Sequence, residues 1–126
     1  MPHRVLIVDD DESCLSGLQQ LIENQGLEVL VASTFEEGRR LLKTAAPDML
    51  IADVRLGAFN GLQLIATTEL NIPVIVISGF DDVVLQAEAR AMGAEYLVKP
   101  ISPSALLDYI GDKLDGRQTT ATPPRA

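Results

Sequence analysis

The chain has no tryptophan, a single cysteine, and few aromatic residues, 4% in all. One cysteine, Cys14, excludes an intramolecular disulfide framework and a cysteine-rich metal site. So few rings mean that the core must be aliphatic, built from Val, Ile, Leu and Ala. The hydrophobic fraction of 47% over 126 residues is enough for one compact domain. Positive charge is also scarce: 10 Lys and Arg stand against 18 Asp and Glu, a net charge of −8, and Arg39-Arg40 is the densest basic pair. Phosphate backbones and anionic membranes are bound through clustered cations, so direct contact with nucleic acid or membrane is not expected. No apolar run approaches membrane-spanning length. Val5–Val8 is too short for a signal peptide, and a cytoplasmic location is the default expectation.

What is present is an alternation of short apolar runs with amphipathic segments. Val5–Val8 predicts a first strand, and Ser13–Gln25 a helix with Leu15, Leu18, Leu21 and Ile22 on one face and Gly26 as its stop. Leu27–Ala32 predicts the second strand. Thr34 with Glu37 forms a capping-box pattern that opens a second helix carrying Leu41 and Leu42. Asp48–Asp53 is the third strand. After a loop, Asn60 is placed to cap a third helix bearing Leu62, Leu64 and Ile65. Ile72–Ile77 is the fourth strand and Asp82–Met92 the fourth helix. Tyr96–Lys99 is the fifth strand, and Ser102 caps a fifth helix that starts at Pro103 and ends near Gly116. Residues 1–116 are thus expected to form one domain. Residues 117–126, rich in Thr, Pro and Ala, are expected to be a linker or frayed tail.

Five strands alternating with five helices predict a doubly wound α/β domain with a parallel sheet. The strands are near-continuous apolar runs, as required when helices cover both faces. In such sheets, ligands sit beyond the carboxyl ends of the strands, where strand order reverses. Those ends are polar here. Asp9-Asp10-Asp11 follows the first strand, Asp53 ends the third, Ser78-Gly79 the fourth and Lys99-Pro100 the fifth. Crowded carboxylates repel one another unless a cation joins them. Oxygen ligands of this kind suit Mg²⁺, which also keeps waters and phosphate oxygens. A carboxylate nucleophile, a lysine and a hard cation are the equipment of phosphoryl transfer. Each residue alone has an ordinary reading: acids after strands serve as helix caps, Lys99 as a solvated lysine, Ser78 as a cap, Tyr96 as a half-buried strand residue. Their convergence on one rim favours the functional reading. His3 reads as an exposed terminal residue and Cys14 as a small apolar one.

From about Arg4 to Leu114 the chain resembles the receiver domains of two-component response regulators. The matching stretches are Val5-Leu-Ile-Val-Asp-Asp-Asp-Glu12, Pro47-Asp-Met-Leu-Ile-Ala-Asp-Val-Arg-Leu56, Asn60-Gly61, Pro73-Val-Ile-Val-Ile-Ser-Gly79 and Gly93-Ala-Glu-Tyr-Leu-Val-Lys-Pro100. The resemblance implies a flavodoxin-like (βα)5 sheet in strand order 2-1-3-4-5. It implies Asp53 as phosphoacceptor, with Asp10, Asp53 and the backbone carbonyl of Arg55 as Mg²⁺ ligands and Asp9 acting through metal-bound water. Lys99 and Ser78 would bind the phosphoryl oxygens, and movement of Ser78 would let Tyr96 turn inward. The Lys99-Pro100 bond is expected to be cis. Gly57 departs from the family pattern, where proline is usual, which suggests a more mobile loop. Arg55 and Phe80 flank the path of the attacking water. The implied partners are a sensor histidine kinase or histidine phosphotransfer protein. Output would go through the surface of the fourth helix, fifth strand and fifth helix, toward a target or a second copy of the chain.

Two other readings stay open at this point. Asp9-x-Asp11 after a strand, Ser78 after another, and a later Lys99 also resemble haloacid-dehalogenase-type phosphatases, with Asp9 as nucleophile and Asp11 as acid/base. That reading lacks a further acidic pair after Lys99 and leaves Asp53 unused. The other is a flavodoxin-like ligand-binding or scaffold domain that is never phosphorylated. The leading expectation is a phosphorylation-controlled binding module and not an enzyme in the usual sense.

Overall fold

The structure, a computed structural model, describes residues 3–56, 59–66, 71–79 and 81–119. Five parallel strands form the main sheet: β1 (Arg4–Val8), β2 (Glu28–Ala32), β3 (Met49–Asp53), β6 (Val74–Ser78) and β7 (Glu95–Val98). A hairpin of β4 (Arg55–Leu56) and β5 (Phe59–Asn60) interrupts the numbering. The sheet order is β2-β1-β3-β6-β7, which is the expected 2-1-3-4-5 once the hairpin is set aside. Five helices connect the strands: α1 (Glu12–Glu23), α2 (Phe35–Thr44), α3 (Gly61–Ala66), α4 (Val83–Ala91) and α5 (Pro103–Thr119).

Strand side chains alternate between two apolar layers, one on each face. Val5, Ile7, Met49, Ile51, Ile75 and Ile77 meet α1 and α5, whose Leu15, Leu18, Ile22, Leu106, Ile110 and Leu114 are buried among them. Leu6, Val8, Leu50, Ala52, Val74 and Val76 face α2, α3 and α4. A fully buried Leu or Ile contributes about 1.5–3 kcal/mol, and the central strands β3 and β6 are buried along their entire length. This explains why those strands have no polar alternation and why the sheet lies at the centre.

The helix ends follow local chemistry. Asp11 caps α1, accepting from the N–H groups of Ser13 at 3.0 Å and Cys14 at 3.3 Å. Asp82 caps α4 in the same way through Val84 and Leu85. At α2, Thr34 Oγ1 accepts from the Glu37 N–H, while the Glu37 carboxylate reaches back to the N–H of Ser33 at 3.1 Å. The capping box is therefore present, shifted by one residue on its return arm. Ser102 Oγ accepts from Ala105 N–H ahead of Pro103. Gly26 and Gly93, with φ of 82° and 83°, turn the chain after α1 and α4 in the left-handed region that glycine enters at no steric cost.

The structure differs from the sequence-based expectation in two places. The hairpin β4–β5 lies where only a loop is expected; strands of two residues leave no hydrophobic period to read. Asn60 belongs to that hairpin and directly precedes α3. The last helix does not stop near Gly116 but runs through Thr119, since a glycine inside a helix costs only about 1 kcal/mol and does not by itself end it. Gly57, Phe80 and residues 120–126, to which loop mobility, water access and a tail were ascribed, lie outside the described residues. Among the described residues no helix is long and apolar enough to cross a membrane.

Candidate functional site

The parallel register sets four strand ends side by side. Val8 is level with Ala52 across β1 and β3, Asp53 with Ile77 across β3 and β6, and Ser78 with Val98 across β6 and β7. The next residues beyond these ends are Asp9 and Lys99. The Lys99 N–H donates to the Ser78 carbonyl at 2.7 Å, which carries the β6–β7 pairing one residue further. The peptide bond between Lys99 and Pro100 is cis.

Lysine Nζ crosses the sheet edge from β7 to reach both acids. It lies 2.8 Å from Asp53 Oδ2 and 3.5 Å from Asp9 Oδ2. The other oxygen of each acid is held by backbone: Asp53 Oδ1 accepts from the Arg55 N–H at 2.8 Å, and Asp9 Oδ1 from the Asp11 N–H at 2.9 Å. Asp9 is 1% exposed, Asp53 7% and Ser78 0%. Asp10 is exposed at the rim. Arg55 and the acids Asp81 and Asp82 line a groove of 580 Å³ that runs from Val54 to the start of α4.

Electrostatics in this pocket are dominated by crowding. Burial pushes the Asp9 carboxyl up, and the nearby Asp53 charge adds to this, against the opposing pull of the Asp11 N–H, Cys14 and Lys99. Burial works to lower Lys99, but the hydrogen bond and charge of Asp53, with Asp9 behind it, outweigh burial and hold the ammonium well above the usual lysine range. The two acids thus favour the charged form of Lys99. Burial, the Asp9 carboxylate as hydrogen-bond acceptor, and its charge raise the Cys14 thiol to about 11. One lysine faces two buried carboxylates with Asp10 next to them, so the pocket has room for more positive charge. Among the described residues, no three carboxylate, imidazole or thiol groups could hold a metal ion by themselves. A hard cation such as Mg²⁺, which binds through one or two carboxylates and keeps several waters, does not need three. The donor set fits such an ion.

The structure brings Lys99 against both Asp53 and Asp9 and seats Ser78 on the neighbouring strand end. Tyr96 lies one strand over, level with Val76, and is already inward at 5% exposure, packed in the layer beneath α4. Asp11 faces its own helix as a cap. The sequence reading gave no role to Gly61. A Cβ at that position would overlap the Asp53 carbonyl oxygen, stand 3.1 Å from the Asp53 carbonyl carbon and 3.5 Å from the Ala52 Cβ. Its N–H donates to the Val54 carbonyl at 2.9 Å. The start of α3 thus lies directly on the backbone of Asp53, and only glycine permits that approach. The sole trace of this in the sequence is the Asn60-Gly61 pair.

Residues 5–111 match the family model described as the response regulator receiver domain. The chain is 34% identical over 122 residues to the alginate biosynthesis transcriptional regulatory protein AlgB of Pseudomonas aeruginosa, covering 94% of this chain and 27% of that protein. It is 31% identical over 107 residues to the alkaline phosphatase synthesis transcriptional regulatory protein PhoP of Bacillus subtilis, covering 82% of this chain and 45% of that protein. This chain therefore spans less than half the length of these curated relatives. Among solved structures, a CheY-like response regulator receiver domain protein from Methanospirillum hungatei superposes with a TM-score of 0.87 at 27% identity, covering 95% of this chain and 99% of that one.

Proposed function

We propose, since this chain belongs to the response regulator receiver domain family, that Asp53 is its phosphoacceptor and that the acidic pocket is the switch. The observation that carries this reading is the contact of Lys99 Nζ with Asp53 Oδ2 at 2.8 Å, while the backbone holds Oδ1. A carboxylate fixed at both oxygens is oriented before the donor arrives, and orientation is most of what phosphoryl transfer asks of a protein. In the transfer, an Asp53 oxygen bonds to phosphorus as the bond from phosphorus to a donor histidine nitrogen breaks. That nitrogen keeps the electron pair. Lys99 then pairs with a phosphoryl oxygen, and the Ser78 hydroxyl donates to another.

Asp10, Asp53 and the Arg55 carbonyl would hold a Mg²⁺ ion, with Asp9 contributing through water. When bound, the ion supplies charge neutralisation around the phosphoryl oxygens. Ser78 and Tyr96 would carry the response from the pocket to the surface of α4, β7 and α5. The phosphoryl group biases an equilibrium between two packings of that surface. The implied partners are a sensor histidine kinase or histidine phosphotransfer protein on the input side. On the output side stands a target, a joined effector domain or a second copy of the chain. Cytoplasmic placement belongs to the same reading. The chain acts as a binding module that assists its own phosphorylation.

The phosphatase alternative finds no support. Asp9 is the more buried acid, at 1% exposure against 7% for Asp53, and Asp11 is occupied as a helix cap. Exposure of the protein to acetyl phosphate and Mg²⁺ tests the assignment. Intact-mass spectrometry is expected to show one added phosphoryl group in the wild type and none in Asp53→Asn. Label retained in the variant would overturn it.

A further inference from the structure

Some of the few cations in so acidic a chain are engaged. Arg4 is bound to Glu28 at 2.7 Å, Lys99 to Asp53 at 2.8 Å, and Lys113 lies 5.4 Å from the centre of the Tyr109 ring. Arg90 is a lone exposed cation on α4, whereas Arg39, Arg40 and Lys43 cluster. All three are exposed on α2, and among the described residues none of their side chains makes an ion pair or hydrogen bond. With Phe35 and Glu36 they line a groove of 490 Å³.

The spacing organises this face. Phe35, Arg39 and Lys43 recur at every fourth residue, which places them on one stripe about 12 Å long, with Arg40 beside it. Phe35 forms an apolar floor, and the aliphatic stems of the cations extend it. The stripe has a firm base. Phe35, Gly38 and Leu42 are buried, and α2 lies so close to β1 that a Cβ at Gly38 would stand 2.9 Å from a Val8 methyl. Lys43 in the last turn complements the helix dipole, worth about 0.3–1 kcal/mol, but Arg39 and Arg40 are mid-helix and gain nothing from it. Arg39, Arg40 and Lys43 thus place three cations within five residues on the exposed side of α2.

We propose that this stripe is a docking surface for an acidic helical segment of a partner protein. Carboxylates one turn apart on that segment would meet Arg39 and Lys43, and an apolar side chain would rest on Phe35. Charge complementarity favours this occupant over other polyanions. Anionic membranes are held by clusters of roughly 4–8 cations, more than this stripe offers. Nucleic acid needs a long basic track, whereas the net charge of −8 repels an extended polyanion. A short segment with a few carboxylates matches an isolated patch with an apolar floor. The surface lies apart from the residues assigned to phosphoryl transfer, so it stands or fails independently of that assignment.

A fluorescein-labelled alanine-based helical peptide with glutamates spaced four apart and one leucine between them provides the probe, read by fluorescence anisotropy. Binding to the wild-type protein is expected, weakening as salt is raised from about 0.05 M to 0.3 M. Arg39→Glu/Lys43→Glu is expected to weaken it by about tenfold or more, while Lys113→Glu on α5 leaves it within about twofold. Circular dichroism checks the fold. Should the reversal variant not fold, Arg39→Gln/Lys43→Gln replaces it, with an expected loss of about threefold or more. No binding, equal affinity of the wild type and the charge variants, or preferential binding of phosphatidylglycerol vesicles or duplex DNA through the same residues would each overturn the proposal.

Discussion

Replacing Gly61 by alanine probes the phosphoacceptor without touching a charged group. The added methyl would collide with the Asp53 carbonyl oxygen and sit 3.1 Å from its carbon. Both are backbone atoms and have no rotamer through which to yield. To reach ordinary contact, the chain at α3 or at Asp53 has to retreat by about 1 Å, and overpacking of this kind costs about 1–3 kcal/mol. Alanine favours helix over glycine by up to about 1 kcal/mol, a partial offset at the first residue of α3. The steric cost wins, and a net loss of about 1–2 kcal/mol is expected, seen as a fall in Tm of about 5 °C. The larger effect falls on chemistry. Lys99 and the Arg55 N–H hold the Asp53 carboxylate at 2.8 Å each, and a displacement near 1 Å takes the carboxylate out of both contacts. Misplacement on that scale slows a positioned reaction by about 10²-fold. The assay is the rate of phosphorylation by acetyl phosphate at fixed Mg²⁺, followed by intact mass, beside a thermal melt. A variant that phosphorylates within twofold of wild type, whatever its Tm, would refute the link between Gly61 and the position of Asp53.

Three further outcomes are expected. Millimolar Mg²⁺ should raise the Tm of the wild type by mass action, and Asp10→Asn should reduce the rise; a melt indifferent to Mg²⁺ would count against the cation site. Ser78→Ala should still accept the phosphoryl group but lose most of the phosphorylation-dependent change in amide exchange across α4, β7 and α5; an unchanged response would mean that coupling bypasses the Ser78 hydroxyl. Arg55→Asn/Phe80→Glu should shed its phosphoryl group faster than the wild type after donor removal, because Asn and Glu can hydrogen-bond and orient an attacking water, which Phe cannot, and Arg can pair instead with a phosphoryl oxygen; equal or slower decay would refute that reasoning.

Much of the protein is legible in its sequence. Unbroken apolar runs such as Val74–Ile77 have one stable use, as strands covered on both faces, and alternation with amphipathic helices leaves few topologies. Polar residues just after those runs mark a site because strand ends are where a doubly wound sheet is open to ligand. Asp9, Asp53, Ser78 and Lys99 could therefore be picked out one by one. The hairpin could not, since two-residue strands carry no period, and neither could the length of α5, since helix ends depend on capping and packing more than on composition.

Which atoms meet was decided by the tertiary structure. Register brings Lys99 across from the end of β7 to Asp53 on β3, over 46 residues of sequence, whereas the N–H that holds each acid's second oxygen comes from only two residues further along the chain. It also separates the three consecutive aspartates, which look equivalent in sequence: Asp9 is buried in the pocket, Asp10 is at the rim, and Asp11 caps α1. Gly61 shows the limit most clearly. A residue without a side chain has no chemistry to read, and its importance appears only where two distant backbones must come closer than a Cβ permits.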